Sequence, residues 1–257
     1  MPTSASPARK AAAIGAVLAL VVAVIAIAVA VGKAVEHGRD PGTAAGPPAS
    51  AAPQEDADQR KLYDDLARRT SRRIPGDPLA AGKPDAPVVL VEYADYQCSF
   101  CGRFTRETQP ALIKKYVDAG TLRIEFRNFT VFGAASERAA RASWAAGRQG
   151  KFWQLHDLLY ATTRKGDALA EDKLADLART AGVPDLAKFR ADLDSPAAAA
   201  ALKKDQDEGY RLGVQSTPSF LVNGRPIAGA QETEVFGQAI EQAAAEAGKH
   251  GGAGAGK

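Results

Sequence analysis

Cys98 and Cys101 are the only two cysteines in a chain of 257 residues, and two thiols at that spacing point to reversible disulfide chemistry. A purely structural bridge is the weaker reading, because a ring this short stabilises by only about 2 kcal/mol before strain is subtracted. Where a strand meets a helix, the i, i+3 spacing puts the first sulfur at the exposed helix N-terminus and the second one turn inside. Unpaired backbone N–H groups and the helix dipole then favour a thiolate on Cys98. That makes Cys98 the attacking sulfur and the better leaving group, with Cys101 as the resolving thiol.

Half of a zinc site is the alternative for such a pair, and it needs further Cys, His or carboxylate ligands. Of three histidines, His37 lies in a Gly/Pro/Ala-rich stretch and His250 in a Gly/Ala tail, which leaves His156. Phe152, Leu155, His156 and Leu159 share one helix face by their spacing, so His156 reads as a core histidine and no metal is expected. Glu92 is the second singular residue, an acid inside the apolar run Val88 to Tyr93. At an exposed strand end it would be inert. If buried, it would have a raised pKa and could exchange a proton with Cys101 during resolution; the rarity of acids in such runs favours this reading.

These residues need a scaffold, and the sequence supplies one. Val88 to Tyr93 is β-branched and apolar, as a central strand requires, and the cysteines follow within a few residues. Thr105 to Ala119 has a helical pattern ending at Gly120. Thr121 to Phe129 alternates Leu122, Ile124 and Phe126 with Arg123, Glu125 and Arg127, the signature of a strand. The result is a strand–helix–strand unit with the cysteines at its first turn.

Residues 134–212 read as several helices punctuated by Gly150, Gly166, Gly182-Val183-Pro184 and Ser195-Pro196. Phe220 to Ile227 is a hairpin around Asn223-Gly224, with Pro226 marking an edge strand. Glu232 to Ala247 reads as a closing helix, and residues 249–257 as a disordered tail.

A composition of 46% hydrophobic and 25% charged residues suits one globular domain with appendages rather than a disordered chain. A net charge of +3 without a long Lys/Arg run argues against nucleic acid as a partner. Ala11 to Gly32 is uncharged and apolar, and at ~1.5 Å per residue it spans roughly the ~30 Å hydrocarbon layer. A cleaved signal peptide ending near Ala28-Val29-Ala30 is disfavoured, because the run exceeds the usual apolar core of ~7–15 residues. The expected organisation is therefore a cytoplasmic N-terminus (1–10), a transmembrane anchor (11–32), a flexible linker (33–54), a juxtadomain helix (55–77), a redox domain (78–248) and the tail.

The segment Tyr96-Gln97-Cys98-Ser99-Phe100-Cys101-Gly102-Arg103-Phe104 resembles the DsbA-like branch of the thioredoxin superfamily. Lys151-Phe152-Trp153-Gln154-Leu155-His156-Asp157 looks like that family's inserted helical region, and Gly213 to Phe220 like its cis-proline loop. The resemblance implies an α/β thioredoxin-like fold with a helical insertion at about residues 133–212. It also implies a cis Thr217-Pro218 bond beside the cysteines and Glu92 at the position of the family's buried acid.

The activity so implied is disulfide transfer to exported protein thiols; the apolar run 11–32 and the need of a disulfide for an oxidising compartment add the expectation of an extracytoplasmic domain held at the cell membrane by a single helix. Ser99, Phe100, Thr217 and Pro218 would border the substrate, and no cofactor beyond the Cys98–Cys101 disulfide is expected. The implied re-oxidising partner is a membrane quinone-linked enzyme of the DsbB or vitamin K epoxide reductase-like kind. Ser99 departs from the proline common after the first cysteine, so the redox potential is not carried over. A reductase or isomerase using the same residues is the rival among enzymes; a tethered chaperone or binding protein with incidental cysteines is the rival outside them.

Overall fold

The protein is described by a computed structural model that covers residues 57–252. The expected anchor, the linker and residues 253–257 lie outside the described residues; among those described, no helix is long and apolar enough to cross a membrane.

The sheet has the strand order β1-β3-β2-β4-β5. At its centre is β2 (Val88–Ala94), whose seven residues are all buried. It runs parallel to β3 (Leu122–Asn128) and antiparallel to β4 (Ser219–Val222). The edges are β5 (Arg225–Ala228) and β1 (Ala80–Ala81), a two-residue strand too short to leave a periodic signal in the sequence. Asn223 and Gly224 join β4 to β5 with φ of 43° and 81°, the left-handed pair that a type I′ turn demands. Helix α1 (Ala57–Thr70) lies over this turn, so closely that a Cβ on Gly224 would stand 2.0 Å from the Tyr63 carbonyl oxygen.

The connection from β2 to β3 is helical from Ser99 onward: α2 (Ser99–Arg103), a π segment (Phe104–Thr108), α3 (Gln109–Leu112) and a second π segment (Ile113–Val117). Pro110 has no N–H to give the preceding turn, which accounts for a widened register beside it. Phe104 packs on Phe220 and Phe236 at ring separations of 4.5 and 5.1 Å, fixing this helical run to the same sheet face as Val88 and Leu90. Between β3 and β4 lie α4 (Ala134–Gly147), α5 (Phe152–Tyr160), a 3₁₀ turn (Gly166–Leu169), α6 (Glu171–Thr180), α7 (Leu186–Leu193) and α8 (Pro196–Arg211). Asp185 and Ser195 cap α7 and α8 by accepting from Lys188 N and Ala198 N.

One feature differs from the sequence reading. The closing helix α9 (Thr233–Gly252) runs into the stretch expected to be disordered; Gly248 has no positive φ, so it does not stop the helix as a left-handed glycine would. The charged face of β3, about whose surroundings alternation says nothing, is buried. Glu125 accepts from Arg123 Nε and Arg127 Nη2, both at 2.8 Å, and from the backbone N–H groups of Arg72 and Arg73 at 2.9 and 2.7 Å. Arg127 also reaches Glu208 of α8 at 3.0 Å, and Arg72 pairs with Asp205 at 2.7 Å. The cover over this strand face thus comes from α8 and the segment after α1, remote in sequence from β3.

Candidate active site

Alternation along β2 places Glu92 on the face of Val88 and Leu90, beneath the helical run that starts at Ser99. Cys98 is the N-cap of that run, with extended dihedrals (φ −77°, ψ 117°), and its own N–H is satisfied by the Asp95 carbonyl at 3.0 Å. Its sulfur therefore sits where the first helical N–H groups lack intrahelical acceptors. Both thiols are free; Cys98 keeps a sliver of exposure and Cys101, one turn inside, has none.

The environment makes the two sulfurs unequal. The Cys101 thiol donates to Cys98, and this hydrogen bond, with the backbone N–H groups of Cys101 and Phe100, outweighs burial and lowers the Cys98 pKa to about 6. Burial pushes Cys101 well above the usual thiol range, and its role as donor to the Cys98 thiolate and that thiolate's charge push it further. From across the sheet, the Thr217 carbonyl lies 3.1 Å from the Cys98 sulfur, an acceptor for the protonated thiol. The Thr217-Pro218 peptide is cis, and Pro218 is buried at the start of β4. Ser99 and Phe100 are exposed at the open end of α2, with the Arg103 guanidinium 5.9 Å from the Phe100 ring centre.

Glu92 is completely buried, and neither carboxylate oxygen has a hydrogen-bond partner. Burial first, and the Cys98 charge second, raise its pKa to about 8. Such a group holds a proton at neutral pH and can give it up only at a site prepared to take it.

Three residues that the sequence reading passed over hold the loop in place. Asp95 is buried; its Oδ1 accepts from Gln97 N (2.7 Å) and Ser136 Oγ (2.6 Å), and its Oδ2 from Val131 N (2.7 Å) and Phe132 N (3.2 Å). Gln97 donates to Ser136 Oγ at 2.8 Å and accepts from Gly166 N at 3.0 Å, tying the cysteine loop to the helical insertion. The available signal was an Asp two residues before a backbone donor at a strand end, the pattern of an Asx turn. His156 is fully buried, as a core histidine should be, with Nδ1 3.0 Å from Asp157 Oδ1.

Residues 75–242 match the family described as Thioredoxin. Over 182 residues the chain is 35% identical to the Na(+)/H(+) antiporter NhaA 3 of Salinispora tropica, a match covering 68% of this chain and 26% of that protein. It spans only about a quarter of the length of the antiporters it matches first. It is also 34% identical over 149 residues to the probable disulfide bond formation protein D of Bacillus cereus, covering 56% of this chain and 68% of that protein. Among solved structures, oxidised BdbD from Bacillus subtilis superposes with a TM-score of 0.60 at 28% identity, over 66% of this chain and 93% of that one.

Proposed function

The chain belongs to the thioredoxin family, and on that premise we propose that it is a thiol–disulfide oxidoreductase that introduces disulfides into exported proteins through Cys98 and Cys101. The reading is carried by the inequality of the two sulfurs, one slightly exposed with a pKa lowered to about 6, the other fully buried and proton-holding. In the oxidised pair a substrate thiolate attacks Cys98 and the Cys98–Cys101 bond breaks. Its electron pair leaves on Cys101, which takes a proton from Glu92. A second substrate thiolate then attacks the substrate's own sulfur in the mixed disulfide, and Cys98 departs as a thiolate.

Two electrons have then passed from the substrate dithiol to the pair. A membrane quinone-linked partner of the DsbB or vitamin K epoxide reductase-like kind would remove them. The Thr217 backbone would pair with an extended substrate segment, flanked by Ser99, Phe100 and Pro218. Residues 11–32 would anchor the chain in the cell membrane with the redox domain extracytoplasmic.

A second reading, an extracytoplasmic reductase or isomerase, is favoured by one quantity. Attacking-thiol pKa values run from ~7 in thioredoxin to ~3.5 in DsbA, with potentials of about −270 and about −120 mV. A Cys98 pKa of about 6 stabilises the reduced form at neutral pH by about 1 kcal/mol over a thiol at ~7, about 20 mV for two electrons. That increment alone leaves the pair nearer thioredoxin.

The deciding experiment incubates the oxidised chain with a reduced, unfolded secreted protein. Catalysed disulfide formation that disappears in Cys98→Ala supports the oxidase. Catalysis of disulfide reduction alone supports the second reading, and catalysis of neither sinks both.

A further inference from the structure

The exchange mechanism uses the proton on Glu92 but leaves open how a carboxyl sealed from solvent is recharged. Once Glu92 has protonated the departing Cys101, its carboxylate is stranded in a site where charge is expensive. The route past Cys98 is closed at that moment, because the substrate is bonded there.

Behind the cysteines lies a second group of buried polar atoms. His156 on α5 is ringed by Phe126, Trp153 and Tyr160 at centroid separations of 5.2, 5.1 and 5.0 Å, and Tyr96 of the cysteine loop stacks on Tyr160 at 4.8 Å. A carboxylate acceptor on Nδ1 assigns the ring proton to that nitrogen and leaves Nε2 with its lone pair directed inward.

Nε2 has no hydrogen-bond partner, nor does the hydroxyl of Tyr160. Ser143 donates to the Ala140 carbonyl at 2.9 Å and also lies close enough to the Tyr96 hydroxyl to favour its ionised form, which makes Tyr96 the best supported of the three. The Tyr160 hydroxyl, His156 Nε2 and the carboxyl of Glu92 are thus buried without hydrogen-bond partners, a state that native proteins rarely tolerate without a use for it. At the outer end, the Asp157 side chain is 67% exposed.

The rings of Tyr96, Tyr160 and His156 contact one another, at 6.1 Å for Tyr96–His156, 4.8 Å for Tyr96–Tyr160 and 5.0 Å for His156–Tyr160, and Glu92 lies near enough for its charge to act on both phenols. Burial dominates the raised pKa of both phenols; on Tyr96 a hydrogen bond with Ser143 opposes it while Glu92 and Asp157 add to it, and Cys101 and Glu92 add to it on Tyr160. Asp95 adds its charge to both, and the Arg106 guanidinium is engaged by the Tyr160 carbonyl at 2.6 Å. His156 itself is lowered by burial, against the pull of Asp157, so its imidazole is neutral near neutral pH and able to accept a proton on Nε2 as it releases one from Nδ1.

We propose that Tyr96, Tyr160 and His156 form an internal proton relay that connects Glu92 to the surface carboxylate of Asp157. Outward transfer leaves the ring as its Nε2–H tautomer; from that form a proton arriving at Asp157 passes to Nδ1 while Nε2 releases one inward, and the tyrosine hydroxyls hand it on to the Glu92 carboxylate. In the reverse exchange the same groups carry the proton of Cys101 outward. Small side-chain rotations or bridging water would close the gaps between them. His156 acts here through Glu92 and touches no reacting atom.

This inference rests on the oxidoreductase reading, and its test separates the two. The purified full-length chain, carrying a mixed disulfide between Cys98 and a cysteine peptide, is followed by stopped flow as Cys101 releases the peptide. Asp157→Asn, at an exposed position that leaves the core intact, and His156→Asn should each slow release by roughly 10-fold near neutral pH. That is less than the ~100-fold of a complete general-base loss, because Glu92 remains. Both should enlarge the solvent deuterium isotope effect, and small diffusible bases, which take the outgoing proton in place of the carboxylate, should restore the rate in Asp157→Asn.

Unchanged rates and isotope effects in both variants, with Glu92→Gln slowed, overturn the relay and leave the oxidoreductase standing. Slowing without an isotope effect or rescue also overturns it, as a packing defect. Failure of the unaltered chain to release peptide through Cys101 removes both proposals.

Discussion

The carbonyl oxygen of Thr217 lies 3.1 Å from the sulfur of Cys98, although 119 positions separate the two residues in the chain. On one side the sulfur faces helical N–H groups that favour its thiolate; on the other it faces an acceptor for its proton. Neither protonation state leaves it without a partner. A sulfur so placed can depart as a thiolate or rest as a thiol without rearrangement of the loop.

The first consequence is a titration. Alkylation of the reduced chain by iodoacetamide should rise as pH passes about 6 and then level off, because a lowered pKa gives thiolate above that value and thiol below it. Cys98→Ala should abolish the fast phase, since Cys101 is buried and holds its proton. A midpoint at the ordinary thiol value of ~8.5 would remove the basis for the division of labour between the sulfurs.

Trapping tests that division directly. With Cys101→Ala, the mixed disulfide on Cys98 cannot be resolved internally, and non-reducing gels should show adducts to exported proteins that dithiothreitol collapses. Cys98→Ala should show few. Equal patterns from the two variants would favour a binding protein with incidental cysteines.

Glu92 should reveal itself in stability. Its folded pKa of about 8 exceeds the unfolded model value of 4.5, so the folded state holds the extra proton between those values, and stability falls as pH rises through that window. Glu92→Gln removes the penalty, which amounts to about 3 kcal/mol at neutral pH. Denaturant titrations of the reduced chain should show the variant gaining on the unaltered protein as pH is raised from about 4.5 to about 8, the window set by those two pKa values. Parallel pH profiles would mean that Glu92 is not a buried acid.

Glu125 has the opposite sign. Burial alone would raise its carboxyl, but hydrogen bonds from Arg123, Arg127 and the Arg72 backbone outweigh it and hold the pKa at about 2. Its contribution is present above the ordinary carboxyl range and is lost as pH falls toward about 2. Glu125→Ala would leave Arg123 and Arg127 buried without their shared acceptor, at a cost of about 3–5 kcal/mol. A loss below 1 kcal/mol in urea unfolding, the scale of a surface pair, would show that the network does not hold the charge as described.

Topology is tested separately. If Ala11 to Gly32 spans the membrane, protease added to intact spheroplasts should degrade the domain beyond it. Protection of the domain would place it on the reducing side, where a disulfide of this kind is kept open.

The parts of the molecule legible in the sequence are those whose physics is local. Cys98 and Cys101 advertise their chemistry by spacing, Asn223-Gly224 by its left-handed turn, and Val88 to Tyr93 by β-branching. The cover over Arg123, Glu125 and Arg127 was not legible, because the partners that make burial tolerable, Asp205, Glu208 and the backbone of Arg72 and Arg73, lie far from them in sequence. Alternation marked β3 as a strand but could not say what lay over its charged face. Asp95 escaped notice for a similar reason: two of its four donors come from Val131 and Phe132, on the far side of β3.

The clasp of Arg72 and Arg73 on Glu125 also has a mechanical meaning. The family match begins at residue 75, so both arginines and α1 lie upstream of it, on the side from which a tether would arrive. Tension applied to the N-terminal chain would be met by α1 against the Asn223-Gly224 turn and by the clasp on β3. From there it would spread in shear across the hydrogen bonds between parallel β3 and β2. The turn lies at the end of β4 opposite Thr217, and the cysteine helix lies off this path. If the chain is tethered through its N-terminus, traction would load the sheet before it reached the contact between Cys98 and Thr217.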